Sequence, residues 1–147
     1  LAADEPAFDP LEYHNGTVWP HDNSLIALGL AQAGRRAEAE IVVRALLDCA
    51  PFFEYRLPEL FAGGERRGGE APGVVPTSAR PQAWAAGTPL LLLRAQLGLE
   101  PDPDARTLRV TADALPAWLE GFVLDGVRAF GRHWRVRVEN RSAIVES

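Results

Sequence analysis

The chain has 147 residues, of which 47% are apolar and 24% charged, and its formal net charge is −5. A chain of this length and composition forms one ordinary globular domain, which buries roughly 70% of its unfolded surface. The acidic balance and the scattered arginines exclude a nucleic-acid-binding surface. No run is long and apolar enough to predict a signal peptide or a membrane span, so we expect a cytoplasmic protein.

Cysteine and histidine usage argues against a bound metal. Cys49 is the only cysteine, which excludes an internal disulfide framework and zinc sites of several cysteines. His14, His21 and Asp22 fit no standard ligand spacing, and neither a P-loop nor a dinucleotide-binding glycine pattern occurs. We therefore expect neither a metal nor another cofactor. The chain begins at Leu1 and contains no methionine, from which we expect a fragment of a longer polypeptide.

Residues 13–23 form the densest cluster of polar and aromatic side chains, directly before an apolar helical pattern. Aromatic rings stack on apolar faces, while amides, imidazoles and carboxylates hydrogen-bond hydroxyl groups. The stretch therefore favours binding of a neutral, hydroxyl-rich ligand. An alternative role for Asp22 is the N-cap of the following helix, which Asp22 or Asn23 can provide. The candidate binding residues here are Tyr13, His14, Asn15, Trp19, His21 and Asp22.

Two helices are predicted after this stretch. Residues 24–33 are apolar with almost no charged face, which is typical of a buried helix, and Gly34 is placed to end it. Residues 36–49 show an amphipathic period and stop before Pro51, so the second helix covers the first. The apolar stripe of the second helix is predicted to consist of Ala37, Ile41, Val42, Ala45, Leu46 and Cys49.

Residues 51–80 show no periodicity, and irregular segments of this length inside a compact domain are usually functional or disordered. A third helix is predicted over residues 81–97, with Pro81 as a favourable first residue and Gly98 as the stop. It is apolar nearly all round, so we expect it in the interior. Pro89 removes one backbone hydrogen bond, at a cost of roughly 3 kcal/mol in a regular helix, and predicts a kink.

The C-terminal residues 101–147 show period-two alternation between turn residues, which predicts a small antiparallel β-unit. A hairpin turn is predicted at residues 124–127. Trp118 and Trp134 are expected in the core of this unit. The sequence thus predicts a helical segment over residues 1–100 and a β extension over residues 101–147.

Antiparallel packing of an interior, a covering and an interior helix makes the first and third helices parallel. Their N-terminal ends then share one face, where residues 13–23 meet Glu59, Arg80, Gln82 and Trp84. Glu59 lies between apolar residues, where an ionised carboxylate is costly unless it is paired. It is therefore either a catalytic or ligand-contacting group, or the ion-pair partner of an arginine.

Three ordered motifs resemble the C-terminal part of bacterial amylo-α-1,6-glucosidases of the glycogen-debranching type, and more widely the glucoamylase-like glycosidases. The motifs are residues 13–23, the segment Leu57-Pro58-Glu59-Leu60-Phe61, and Ser78 followed by Pro81-Gln82-Ala83-Trp84-Ala85. The resemblance implies a mainly α fold. It would be a partial (α/α)6 toroid, made of the last inner and outer helices, followed by the small antiparallel β-unit.

The resemblance also implies an inverting glycoside hydrolase that cleaves α-1,6-glucosidic bonds in α-glucans. Glu59 matches its general base, the candidate residues in 13–23 match its pocket-lining loop, and Gln82 and Trp84 match its Gln-Ala-Trp segment. Its general acid is an aspartate in a Trp-Lys-Asp-Ser context, and no such segment occurs here. Inverting glycosidases need both carboxyls, roughly 6.5–9.5 Å apart. The isolated chain is therefore expected to be inactive.

Only the last part of a toroid would be present in this chain. The apolar faces of residues 24–33 and 83–97 should then be exposed, or be covered by the rest of the toroid or by self-association. Two other functions stay open from the sequence. One is a non-catalytic carbohydrate-binding or regulatory relative that has lost the acid, and the other is a purely structural helical interaction module.

Overall fold

A computed structural model describes all residues from 1 to 147 as three helices followed by two small antiparallel sheets. The chain divides into two compact units, Leu1–Leu92 and Leu93–Ser147, whereas the sequence pattern placed the boundary after residue 100. None of the helices has the length and apolarity needed to cross a membrane. The helices are α1 (Pro20–Gln32), α2 (Arg36–Leu47) and α3 (Ala83–Leu97), and the strands are β1 (Leu99–Asp102), β2 (Thr107–Val110), β3 (Val123–Ala129), β4 (Arg132–Glu139) and β5 (Ser142–Glu146).

The first helix begins earlier than predicted. Pro20 is its first residue and Trp19 its N-cap, so the prediction of a cap at Asp22 or Asn23 is wrong. The reason is that proline already has a helical φ and lacks an N–H that needs a cap. Asp22 lies instead in the first turn, where its charge favours the positive end of the helix dipole. Gly34 has a φ of 78° just beyond the C-cap, which confirms its predicted role.

The face of α2 that is buried overlaps the predicted stripe only in part, because Leu46 and Cys49 are buried as predicted and the other buried residues lie beside the stripe. Ala39, Val43 and Leu46 are buried, at helical spacing, and pack towards the interior. Ile41 is 70% exposed, so the prediction that Ala37, Ile41 and Ala45 face the interior is wrong. Ala39 and Val43 form a second apolar face with smaller side chains beside the predicted stripe, and these two residues are buried.

Small residues form the buried side of α1. Ser24 and Ala27 are fully buried, whereas Leu25 and Ile26 are 50% and 53% exposed. On α3, Leu90 is 63% exposed. Exposed apolar side chains on these two segments were expected for helices that lack neighbours, and the structure confirms that exposure.

The third helix begins at Ala83, so the prediction that Pro81 opens it is wrong. Gln82 precedes the helix, and its side-chain oxygen accepts a hydrogen bond from the N–H of Ala83 at 2.8 Å. The Gln82 side chain therefore satisfies the N–H of the first residue of the helix, which has no acceptor within the helix. The helix continues through Pro89 and ends before Gly98, whose φ of 63° confirms the predicted stop.

The second unit contains the two-stranded sheet β1-β2 and the three-stranded sheet β3-β4-β5, all antiparallel. The turn predicted at residues 124–127 is wrong, because β3 continues through it with a register shift between Leu124 and Val127. Pairing with β4 on both sides of this shift makes it a bulge. Trp134 is buried, as predicted, and Trp118 packs against the core. The core of this unit consists of Leu97, Leu115, Leu119, Val136 and Val138.

Candidate functional site

Glu59 lies in an extended segment that is held between two other segments. On one side Val18 and Phe61 exchange backbone hydrogen bonds of 2.8 and 3.0 Å. On the other side the N–H of Glu59 donates to the carbonyl of Ala79 at 2.9 Å, and the Ser78 hydroxyl donates to the carbonyl of Leu60 at 2.8 Å. The backbone around Glu59 is therefore fixed from both sides, which positions its side chain.

Two glycines permit the close approach of these segments. A Cβ atom on Gly63 would lie 1.6 Å from the carbonyl oxygen of Gly16. A Cβ atom on Gly16 would lie 2.3 Å from the carbonyl oxygen of Asp9. Only residues without a side chain fit at both positions, because the contacting atoms belong to the backbone and cannot rotate away.

Glu59 as a whole residue is 9% exposed, and its carboxylate accepts two hydrogen bonds and one longer contact. The hydroxyl of Tyr13 donates to Oε1 at 2.6 Å, the N–H of Ala79 donates to Oε2 at 3.1 Å, and the amide of Gln82 makes a long contact of 3.5 Å with Oε1. The Tyr13 hydroxyl is the main cause that lowers the pKa of Glu59, followed by the Ala79 N–H, while burial opposes them. The same hydrogen bond raises the pKa of the Tyr13 phenol.

A cluster of aromatic rings extends from Tyr13, whose hydroxyl binds this carboxylate. Tyr13 contacts His14 and Trp19 edge-on, with ring centroids 4.9 Å apart in both pairs. Trp84 stacks on His21 at 4.7 Å and meets Trp19 edge-on at 5.9 Å. The N-cap of α1 and the first turn of α3 thus meet, which confirms the predicted convergence of residues 13–23 with the Glu59 loop. The Trp84 side chain keeps 43% of its surface exposed and is available to a ligand.

Other candidate residues lie at the margin of this group. Arg80 forms an ion pair with Glu54 at 3.3 Å, and its guanidinium lies over the ring of Phe53. The prediction left open an arginine partner for Glu59, but its partners are Tyr13, Ala79 and Gln82 instead. The side chains of Asn15 and Asp22 take no part in the contacts among these groups, and Asp22 is exposed.

Sequence reasoning missed Thr17 as a residue that organises the site. Its hydroxyl donates to the carbonyl of Tyr13 at 2.6 Å and accepts from the indole N–H of Trp19 at 3.0 Å. It thereby fixes both aromatic residues relative to each other. The only signal in the sequence was its place within the motif of residues 13–23, since a lone threonine in a loop carries no chemistry of its own.

A cavity of about 480 Å³ lies in another part of the first unit, beside α2 and residues 62–73. Burial raises the pKa of the Cys49 thiol in its wall, and Arg66 opposes that effect. The lining of this cavity includes the polar side chains of Asn23, Glu65, Arg66 and Glu70. Its apolar lining includes Ile41, Val42, Ala45, Leu46, Cys49 and Phe61.

The Glu59 group is the better candidate for polar chemistry. It combines a hydrogen-bonded, ionised carboxylate with exposed aromatic surface, which suits proton transfer beside a ligand with hydroxyl groups and apolar faces. No group of three or more His, Cys, Asp or Glu side chains is arranged to hold a metal ion. Comparison with models of known protein families gives no match, and no curated protein is found to be similar to the chain. The resemblance to debranching-type glycosidases therefore rests on its motifs.

Proposed function

We propose that this chain forms the C-terminal part of an inverting α-glucosidase of the debranching type, and that it contributes the general base and one wall of the sugar site. In the reaction, the oxygen of a water molecule forms a bond to the anomeric carbon while Glu59 accepts the proton of that water. The glycosidic C–O bond breaks, and its oxygen takes a proton from the second carboxyl. That acid would be supplied by the rest of the polypeptide.

This proposal depends on one observation, namely that hydrogen bonds favour the ionised form of the Glu59 carboxylate. A general base must be ionised and fixed within reach of the water that it activates. Hydrogen bonds from Tyr13 and Ala79 lower the pKa of Glu59, and the extended segment between Val18 and Ala79 fixes its backbone. A buried carboxylate that served packing alone would more commonly be neutralised by an arginine, and Arg80 is paired elsewhere.

The aromatic group beside Glu59 supports a sugar as the ligand. Trp84 offers exposed ring surface for stacking on a pyranose, and contacts with Trp19 and His21 hold its ring in place. His14 and His21 present ring nitrogens to hydroxyl groups at the same site. The amide of Gln82 provides a further donor beside Glu59.

A partial (α/α)6 toroid remains the architecture that we propose for this chain within its full polypeptide. The exposed side chains of Leu25, Ile26 and Leu90 support it, because each is large and apolar on a helix whose buried side is elsewhere. The partners that we propose are therefore the remainder of the toroid or a second copy of the chain.

A non-catalytic sugar-binding role is a second candidate. It is favoured by one observation, namely that Asp22 is exposed and takes no part in the group around Glu59, so this chain holds a single working carboxylate. Such a protein would bind an α-glucan without hydrolysing it.

The test combines binding by the 147-residue chain with activity of the full reading frame. We expect the chain to bind maltooligosaccharides in a calorimetric titration and to release no glucose from them. Trp84→Ala should abolish that binding, whereas Trp118→Ala, in the other unit, should leave it unchanged. In the full-length protein Glu59→Gln should lower the rate by roughly two to four powers of ten. Binding with no hydrolysis by the full-length protein would favour the second candidate, and no binding at all would refute both.

A further inference from the structure

The two oxygens of the Glu59 carboxylate have unequal surroundings. Oε1 accepts from the Tyr13 hydroxyl at 2.6 Å and lies 3.5 Å from the Gln82 amide, whereas Oε2 accepts only from the Ala79 N–H at 3.1 Å. An ionised carboxylate offers about four acceptor positions, two on each oxygen. Oε1 holds the shortest of these bonds and has a second donor at 3.5 Å, so Oε2 is the less occupied oxygen.

We propose that Tyr13 is a positioning residue for Glu59, which occupies Oε1 and thereby makes Oε2 the oxygen that accepts the proton of the attacking water. This inference rests on the proposed function. In the attack of water on the anomeric carbon, the proton of the water passes to Oε2. The electron pair of that O–H bond remains on the oxygen that bonds to the anomeric carbon.

The environment of Tyr13 explains how its hydroxyl is directed. Its ring is fixed by edge contacts to His14 and Trp19 at 4.9 Å, and its carbonyl accepts the Thr17 hydroxyl at 2.6 Å. The phenol has a single proton, which it donates to Glu59 at a distance typical of an O–H···O⁻ bond between a neutral and a charged group. The resemblance places Tyr13 in the pocket lining, but the geometry commits its donor to the base.

This role differs from ring stacking, and one substitution separates the two. Tyr13→Phe keeps the ring and its contacts and removes only the hydroxyl. The 147-residue chain contains two tyrosines, Tyr13 and Tyr55, and Tyr55 is an exposed residue outside this group. Tyr55→Phe is therefore a matched control that removes the same atom from a surface position.

The experiment is a pH titration of the Glu59 side-chain carboxyl carbon by NMR in the wild-type chain and both variants. Tyr13→Phe should raise the pKa of Glu59, since it removes the largest cause of the lowering, and Tyr55→Phe should leave that pKa unchanged. As a reciprocal measurement, Glu59→Gln should lower the pKa of the Tyr13 phenol in an ultraviolet titration.

In the full-length protein Tyr13→Phe should reduce kcat on the order of ten- to a hundredfold with little change in KM, because a loosened base misplaces the water. A role in stacking alone would leave both unchanged, since phenylalanine keeps the ring. An unaltered Glu59 titration in Tyr13→Phe overturns the positioning role, whatever the chain binds. A shifted titration in a chain that binds no maltooligosaccharide supports the hydrogen bond and refutes the proposed function.

Discussion

Replacing Gly63 by alanine tests how closely the segments that frame Glu59 must approach. A Cβ atom there would lie 1.6 Å from the carbonyl oxygen of Gly16, whereas ordinary van der Waals contact begins at 3.4 Å. The two backbones must therefore separate by about 1.8 Å. Gly64 is the matched control, because its nearest neighbour is the Cβ of Pro10 at 4.0 Å and its φ is not in the left-handed region.

The size of the effect follows from the hydrogen bonds that the separation breaks. Val18 and Phe61 exchange two, and the N–H of Gly63 donates a third to the carbonyl of Pro10 at 3.0 Å. At roughly 0.5–1.5 kcal/mol each, the loss of these three hydrogen bonds lowers the free energy of unfolding by about 1.5–4.5 kcal/mol. Overpacking of cores, at roughly 1–3 kcal/mol, gives a similar range. Gly64→Ala should be neutral or stabilising by a few tenths of a kcal/mol to about 1 kcal/mol.

Urea and thermal unfolding of the 147-residue chain, followed by tryptophan fluorescence, measures both variants. For a unit of the size of Leu1–Leu92, each kcal/mol of lost stability lowers the Tm by roughly 4–8 °C. The Tm of Gly63→Ala should therefore lie at least about 6 °C below that of the wild type. It should also weaken maltooligosaccharide binding, since Tyr13 and Glu59 lie on the separated segments. Equal stability of Gly63→Ala and Gly64→Ala would show that the two backbones do not approach as described.

Three further outcomes are expected. Because the pKa of Glu59 is lowered in the folded chain, its ionised form stabilises the fold above the unfolded pKa, and this contribution is lost as the pH falls through the folded pKa. In urea titrations, the wild type should therefore lose more stability on acidification than Glu59→Gln. Parallel stability curves for the two proteins would contradict the hydrogen-bonded state of Glu59. Leu119→Ala, in the core of the second unit, should cost roughly 2–5 kcal/mol by chemical denaturation, and a loss below 1 kcal/mol would be incompatible with its burial. Arg135→Ala removes an exposed ion pair with Asp125 and should leave the urea midpoint of unfolding nearly unchanged, because water screens the pair; a clear fall in that midpoint would contradict this screening.

Local signals in the sequence predicted the order and type of the elements. Glycine at positions 34 and 98 ends a helix because it alone readily adopts a positive φ there, and that preference is readable without tertiary information. The side of α2 that is buried was not readable, because Ile41 and Val43 both lie on apolar faces and only packing against α1 decides between them. Asp125-Gly126 suits a turn or a bulge equally well, and the pairing of β3 with β4 decides it.

The site was predicted in outline only. The predicted packing of the helices placed Tyr13 and Glu59 on one face, and the hydrogen bond between them confirms it. That packing did not indicate which donor binds the carboxylate, because tyrosine, glutamine and arginine were all within the same loops. Arg80 pairs with Glu54, which has a left-handed backbone conformation that no sequence pattern predicted.

The segment that carries Glu59 also determines the order in which the site assembles. Tyr13 and Glu59 are 46 residues apart in the chain, and α1 and α2 lie between Val18 and Phe61. Closing a flexible loop of that length carries an entropic penalty that local contacts must first reduce. Formation of the α1–α2 hairpin shortens the loop, so the carboxylate meets its tyrosine after the hairpin is made. Substitutions that weaken the hairpin should therefore slow the appearance of a competent site even where they leave every residue of that site intact.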